Sequence, residues 1–145
     1  AQVLSTDAAQ IKKSVKEALH DIQQMTKTDV FIIEDEPIIA ADLKATAESL
    51  GHRVTGMART RTEAVEGALA SNPGLILADI QLADDSSGID AVHDIMESHN
   101  CPVIFITAFP ERLLTGERPE PTYLVTKPFR PETVKAAIGQ ALFFA

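Results

Sequence analysis

The sequence has no tryptophan, one tyrosine and one cysteine. Because Cys101 is alone, an internal disulfide is excluded and a reducing compartment is the simplest setting, so we expect a cytoplasmic location. No apolar run is long enough to span a bilayer, and no signal peptide is recognisable. The glycine-rich loops that bind dinucleotides or nucleoside triphosphates are also missing. These absences argue against a disulfide scaffold, a membrane-spanning protein and a nucleotide-binding enzyme.

Positive charge is also in deficit. The chain has 13 Lys and Arg residues against 21 Asp and Glu residues, which gives a formal net charge of −8 at pH 7. We therefore expect no direct binding of nucleic acid. The 145 residues, 45% of them hydrophobic, suffice for one domain with its own core. The chain starts with Ala1 rather than Met, which leaves open a longer parent protein.

Short apolar runs alternate with amphipathic segments from Val30 onward. The runs predicted as strands are Val30–Ile33, Arg53–Met57, Leu75–Ala78, Val103–Ile106 and Tyr123–Thr126. A helical pattern follows each strand, and the fourth of these helices, around Leu113 and Leu114, is short and bounded by prolines. Five strands alternating with five helices predict a doubly wound α/β fold with a parallel sheet. The most apolar strands, 1, 3 and 4, should be central, which gives the flavodoxin-like (βα)5 order 2-1-3-4-5.

Residues 1–28 fall outside this count. Apolar residues recur there at steps of three and four, a pattern typical of one helix with an apolar stripe: Ala8, Ile11, Val15, Ala18 and Ile22. We predict an extra N-terminal helix and linker over residues 1–28, followed by one domain over residues 29–145.

Polar side chains follow the predicted strands at the points where ligands bind in open α/β sheets. In chain order they are Glu34, Asp35, Glu36, Asp79, Thr107 and Lys127. Carboxylates gathered at one edge would repel one another unless a cation lay between them, and Mg²⁺ prefers such oxygen ligands. Aspartate can act as a nucleophile that forms an aspartyl phosphate. We therefore predict phosphoryl transfer to Asp79, with Lys127 and Thr107 contacting the phosphoryl oxygens.

The acidic pair Glu34-Asp35, the run Leu-Ile-Leu-Ala-Asp79, Thr107-Ala108 and Lys127-Pro128-Phe129 resemble the receiver domains of bacterial response regulators, the CheY-like family. The resemblance covers about residues 29–144. It implies phosphorylation of Asp79 by a histidine kinase or phosphotransferase, in a domain that assists its own phosphotransfer and dephosphorylation but is not otherwise an enzyme. It implies Mg²⁺ bound by Glu34, Asp35 and Asp79, with Gln81 and the Ile80 carbonyl nearby, and a cis peptide before Pro128.

Longer stretches resemble the PhyR-type general stress response regulators of alphaproteobacteria. They are Phe31–Pro37, Asp79–Ala83, Ser86–Asp90 and Ile106–Pro119. In that group a sigma-factor-like region precedes the receiver, and residues 4–15 resemble its last helix. The resemblance implies that phosphorylation frees this region to capture an anti-sigma factor of the NepR type.

Three features depart from the usual receiver pattern. Leu124 occupies the position of an aromatic switch residue, the loop at residues 84–87 is one residue longer, and the fourth helix is short. Two alternatives stay open, a stand-alone phosphorelay receiver and an interaction module that works without phosphate. A haloacid dehalogenase-type phosphatase is disfavoured because no Asp-x-Asp follows strand 1.

Overall fold

A computed structural model describes residues 8–17, 27–113 and 122–145. Residues 8–17 are helical and form α1, in which every residue is exposed. Ile11 and Val15 of the predicted apolar stripe lie on this helix with 63% and 53% of their surface exposed. The stripe's continuation at Ala18 and Ile22 lies outside the described residues.

The rest of the described chain alternates strands and helices. The strands are β1 (Asp29–Ile33), β2 (Arg53–Ala58), β3 (Leu75–Ala78), β4 (Val103–Thr107) and β5 (Thr122–Thr126). The helices are α2 (Pro37–Ser49), α3 (Arg61–Ser71), α4 (Gly88–Met96) and α5 (Pro131–Phe143), with a 3-10 turn at Pro110–Leu113. That turn stands where the short fourth receiver helix was predicted to begin, and residues 114–121 lie outside the described part of the chain.

All neighbouring strands pair in parallel, in the order β2-β1-β3-β4-β5. The predicted fold class and strand order are therefore confirmed. The order follows from burial, because the strands that are apolar at nearly every position are the ones covered by helices on both faces. β3 and β4 are buried along their whole length, whereas β2 is mostly exposed or half-buried at the edge.

Helix ends follow local sequence signals. Pro37 and Pro131 begin α2 and α5, where a missing backbone N–H costs nothing. Thr60 caps α3 by accepting the Glu63 N–H at 3.2 Å. Gly51 takes a left-handed φ of 89° just after α2, a conformation that only glycine adopts readily.

Alternate residues of the central strands face opposite sides of the sheet. Phe31, Ile33, Ile76 and Phe105 face one side, together with α3 and α4. The other side holds the second core cluster, under α2 and α5, and its residues from the three central strands are Val30, Ile32, Leu75, Leu77, Ile104 and Ile106. The residues of both clusters are buried. Packing on both faces of the sheet therefore fixes the positions of the carboxyl ends of its strands.

Candidate phosphorylation and metal site

The carboxyl ends of four strands meet at one edge of the sheet. Glu34 directly follows β1, Asp79 follows β3, Thr107 ends β4 and Lys127 follows β5. The structure thus brings together side chains that are up to 93 positions apart in the chain. This convergence is what the order of the strands predicted.

Lys127 joins two of the carboxylates. Its Nζ lies 2.6 Å from Glu34 Oε1 and 2.9 Å from Asp79 Oδ2. Both acids are buried, with 2% of Glu34 and 7% of Asp79 exposed. The Lys127–Pro128 peptide that follows is cis, as the resemblance implied.

The backbone fixes the Asp79 carboxylate from its other side. The Asp79 N–H donates to the Ile33 carbonyl at 2.8 Å, which ties the end of β3 to β1. The next N–H in the chain, that of Ile80, donates to Asp79 Oδ1 at 2.7 Å. Each carboxylate oxygen of Asp79 therefore has its own donor, Ile80 for one and Lys127 for the other.

Three carboxylates can share one cation here. Glu34, Asp35 and Asp79 each offer an oxygen, and these atoms all lie within 4.8 Å of one another. The donor set and its spacing fit a hard divalent cation.

The pKa values of Glu34 and Lys127 are shifted by burial and by the neighbouring charged groups. Burial raises the pKa of Glu34 to about 7, even though the hydrogen bond from Lys127 opposes this, and the charge of Asp79 raises it further. Burial alone would lower the pKa of Lys127, but its bonds to Glu34 and Asp79 outweigh burial and leave that pKa raised. Burial of Glu34 and its hydrogen bond from Lys127 thus act on the Glu34 carboxyl in opposite directions, and burial has the larger effect.

The sequence matches the response regulator receiver domain family over residues 30–139. The chain belongs to this family.

Similar proteins place this receiver more narrowly. It is 58% identical over 143 residues to the phyllosphere-induced regulator PhyR of Methylorubrum extorquens, covering 98% of this chain and 54% of that protein. The solution structure of the PhyR receiver domain from Erythrobacter litoralis is 63% identical, with a TM-score of 0.78, and the match covers 83% of this chain and 94% of that one. A structure of PhyR from Bartonella quintana, complexed with the anti-sigma factor NepR, is 64% identical with a TM-score of 0.66, over 95% of this chain and 57% of that one. The chain thus spans about half the length of the PhyR protein from Methylorubrum extorquens.

The remaining predicted site residues, Thr107, Gln81 and Ile80, differ in their surroundings. Thr107 is fully buried, and its Oγ1 accepts the Phe109 N–H at 3.0 Å, which leaves its hydroxyl hydrogen available to donate. Gln81 lines the cleft beside Asp79. The Ile80 side chain is in the core instead, and its carbonyl accepts the Gly88 N–H at 2.6 Å. Gln81 therefore borders the cleft, whereas the Ile80 carbonyl already accepts one hydrogen bond, and both stay predicted cation ligands.

Sequence reasoning missed part of the cleft wall. The cleft encloses about 360 Å³, and its lining includes Leu82, Asp85 and Phe109 as well as the predicted residues Asp35 and Asp79. Asp85 belongs to the loop at residues 84–87, which was predicted to be one residue longer than usual, and it has a left-handed φ of 61°. The predicted extra residue in this loop was the available sign of a changed cleft wall. Whether Asp85 lies at the cleft, however, depends on how the loop folds.

Leu124 stands on β5, at the edge of the sheet, with 41% of its surface exposed. A leucine there offers no hydroxyl group or ring to couple with Thr107.

Within residues 8–17, 27–113 and 122–145, no helix is both long enough and apolar enough to cross a bilayer.

Proposed function

We propose that the receiver accepts a phosphoryl group on Asp79 from a histidine kinase or phosphotransferase, with Mg²⁺ held by Glu34, Asp35 and Asp79. One observation carries the proposal: the Asp79 carboxylate lies 2.9 Å from Lys127 and within 4.8 Å of carboxylate oxygens of Glu34 and Asp35. A carboxylate nucleophile needs nearby positive charge when a phosphoryl group arrives, and this site supplies one cation and fits a second.

The chemical step is a displacement at phosphorus. An Asp79 carboxylate oxygen forms a bond to phosphorus, and the bond from phosphorus to the donor nitrogen or oxygen breaks. The electron pair of that bond leaves with the donor, which takes up a proton if it is a histidine. Charge spreads over three phosphoryl oxygens during the step, so catalysis consists mainly of positioning and electrostatic stabilisation.

Three contacts would stabilise those oxygens. Lys127, already 2.9 Å from Asp79, binds one of them, and the free hydroxyl hydrogen of Thr107 binds another. Bound Mg²⁺ would supply a third contact by neutralising charge between the carboxylates and the phosphoryl group. Gln81, which lines the cleft, would help to hold the same ion. The receiver would assist its own phosphorylation and dephosphorylation through these groups, without turnover of a separate substrate.

The test uses acetyl phosphate as donor and Mg²⁺ as cofactor. The wild-type chain should gain one phosphoryl group by intact mass, and Asp79→Asn should gain none. Asp42→Asn is the matched control, because Asp42 is an exposed acid on α2 that plays no part in the site. Equal modification of wild type and Asp79→Asn would reject the acceptor assignment, and a wild type without modification would favour the phosphate-independent module.

The metal assignment is tested separately. Mg²⁺ titration of the wild-type chain should shift the amide resonances of residues around Asp79, and Asp35→Ala should abolish that response because it removes one of three oxygen ligands. An undiminished response in Asp35→Ala would place the cation elsewhere.

We further propose that the receiver controls an output region related to that of PhyR, and that residues 1–28 belong to this region. The proposal is supported by the 64% identity with Bartonella quintana PhyR, which has been solved with NepR. Phosphorylation would free the output region to capture an anti-sigma factor of the NepR type in the cytoplasm, and so govern a general stress response.

Capture of a NepR-type protein by the parent protein that contains this receiver tests the output. Acetyl phosphate and Mg²⁺ should strengthen capture for wild type but not for Asp79→Asn. Capture that does not depend on phosphorylation would contradict the gating, and phosphorylation without any capture would favour a stand-alone phosphorelay receiver.

A further inference from the structure

The first residue of α4 touches the backbone of the acceptor. A Cβ added at Gly88 would overlap the Asp79 carbonyl oxygen and lie 2.8 Å from the Asp79 carbonyl carbon. These are backbone atoms, which cannot rotate away as the end of a side chain can. Only glycine fits at residue 88, because any side chain there must displace either α4 or the end of β3.

The peptide unit that Gly88 touches also orients the acceptor carboxylate. The carbonyl of Asp79 and the N–H of Ile80 belong to one planar group. Gly88 contacts the carbonyl side of that plane, and the N–H side donates to Asp79 Oδ1 at 2.7 Å. A push on the carbonyl rotates the whole plane, and with it the N–H that donates to the carboxylate.

The start of α4 has little freedom to retreat from this contact. The Gly88 N–H donates to the Ile80 carbonyl at 2.6 Å, and Ser87 caps the helix by accepting the Ile89 N–H at 3.1 Å. Further along, Val92 and Ile95 are fully buried in the core. A side chain at residue 88 would consequently distort the acceptor peptide rather than move the helix.

We propose that Gly88 is a positioning residue for phosphorylation of Asp79, because its missing side chain lets α4 hold the peptide whose N–H orients the carboxylate. The inference rests on the proposed function of Asp79. Gly88 lies nine positions beyond Asp79. It has no side chain, so it makes no side-chain contact with the predicted cation ligands or with Lys127.

The test compares Gly88→Ala with two matched variants. Gly139→Ala makes the same change in α5, where an added Cβ has nothing within 4 Å. Ile95→Ala weakens α4 itself by opening a cavity in the core, without touching the acceptor peptide. The initial rate of phosphorylation from acetyl phosphate at saturating Mg²⁺ is measured for the folded fraction of each.

Gly88→Ala should lower that rate by at least about tenfold, since displacements of about 1 Å in a reacting group cost this much or more. Gly139→Ala and Ile95→Ala should keep the wild-type rate. The Ile80 amide proton supplies a second readout, because in Gly88→Ala its resonance should lose the downfield shift given by its bond to Asp79. A wild-type rate and Ile80 resonance in Gly88→Ala would overturn the inference, as would an equal loss of rate in Ile95→Ala.

Ser87→Ala keeps the inference testable if Gly88→Ala does not fold. Loss of this cap loosens the first turn of α4, so a smaller rate loss with a weakened Ile80 shift is expected, and an unchanged rate and shift would overturn the inference. Failure of wild type to be phosphorylated on Asp79 would instead reject the proposed function itself.

Discussion

Lys127 places a single positive charge between two buried carboxylates, those of Glu34 and Asp79. With Asp35 counted, three negative charges face one positive charge, for a local sum of −2 when all are ionised. A divalent cation would bring this sum to zero. The charge balance of the site therefore favours a bound cation independently of any resemblance.

Lys127→Met should separate metal binding from phosphorylation. Removal of the positive charge should tighten Mg²⁺ binding by roughly tenfold at pH 9, well above the Glu34 pKa of about 7, because the repulsion between Lys127 and the ion disappears. Phosphorylation of Asp79 should fall nevertheless, since a phosphoryl oxygen loses its partner. Calorimetric titration and intact mass measure the two effects, and weaker Mg²⁺ binding in Lys127→Met would contradict the charge argument.

His52 gives the fold a pH dependence that is unrelated to the site. It is buried, and its Nδ1 accepts the Thr28 N–H at 3.2 Å. Burial lowers the pKa of His52 below its ordinary value of 6.5. His52 therefore binds a proton more readily in the unfolded chain than in the native chain. Stability contributed by neutral His52 is thus present above the ordinary pKa of 6.5 and is lost as the pH falls through the lowered pKa of the native state.

His52→Asn tests this dependence. The asparagine carbonyl can accept the Thr28 N–H but does not titrate, so the free energy of unfolding in urea should fall less between pH 7 and pH 5 than in wild type. Identical slopes for the two proteins would show that other groups control the acid sensitivity.

At the scale of elements, strand positions could be predicted closely from the sequence. β3 has the predicted bounds, and the other four strands begin or end one residue beyond them. Buried parallel strands give a strong signal because both faces are apolar. The segment after β4 was harder to predict, since Pro110 and Leu113 fit either a short helix or the 3-10 turn that the structure shows.

The start of α3 depends on two hydrogen bonds from backbone N–H groups to side chains. Thr60 accepts the Glu63 N–H, and the Glu63 carboxylate accepts the Arg59 N–H at 3.1 Å. Thr60→Ala should lower the free energy of unfolding by about 1 kcal/mol, the usual loss for a helix cap. Thr133→Ala, at an exposed position inside α5, is the control and should change stability by less than about 0.5 kcal/mol. A smaller loss for Thr60→Ala than for Thr133→Ala would refute the capping role.

At the scale of the molecule, the site is a product of topology. Four strands from distant parts of the chain each end in one polar residue, and the order β2-β1-β3-β4-β5 brings those ends together. The convergence of Glu34, Asp79, Thr107 and Lys127 could be predicted for this reason. The direct bond from Lys127 to Glu34 and the contact between Gly88 and Asp79 could not, because they depend on distances that only packing sets.

The described residues from Lys27 onward contain every contact used in the site. A variant that begins at Lys27 should therefore retain the wild-type melting temperature and Mg²⁺ response, since all residues of α1 in positions 8–17 are exposed. A large loss of stability would show that the N-terminal segment packs on the receiver.

The most direct test of the account is the position of the phosphoryl group. After reaction with acetyl phosphate and Mg²⁺, borohydride reduction converts an aspartyl phosphate to homoserine, which peptide mass spectrometry can locate. The account predicts homoserine at residue 79 in wild type and in no peptide of Asp79→Asn. Homoserine at another acid, or none in a wild-type chain with Mg²⁺ bound, would contradict it.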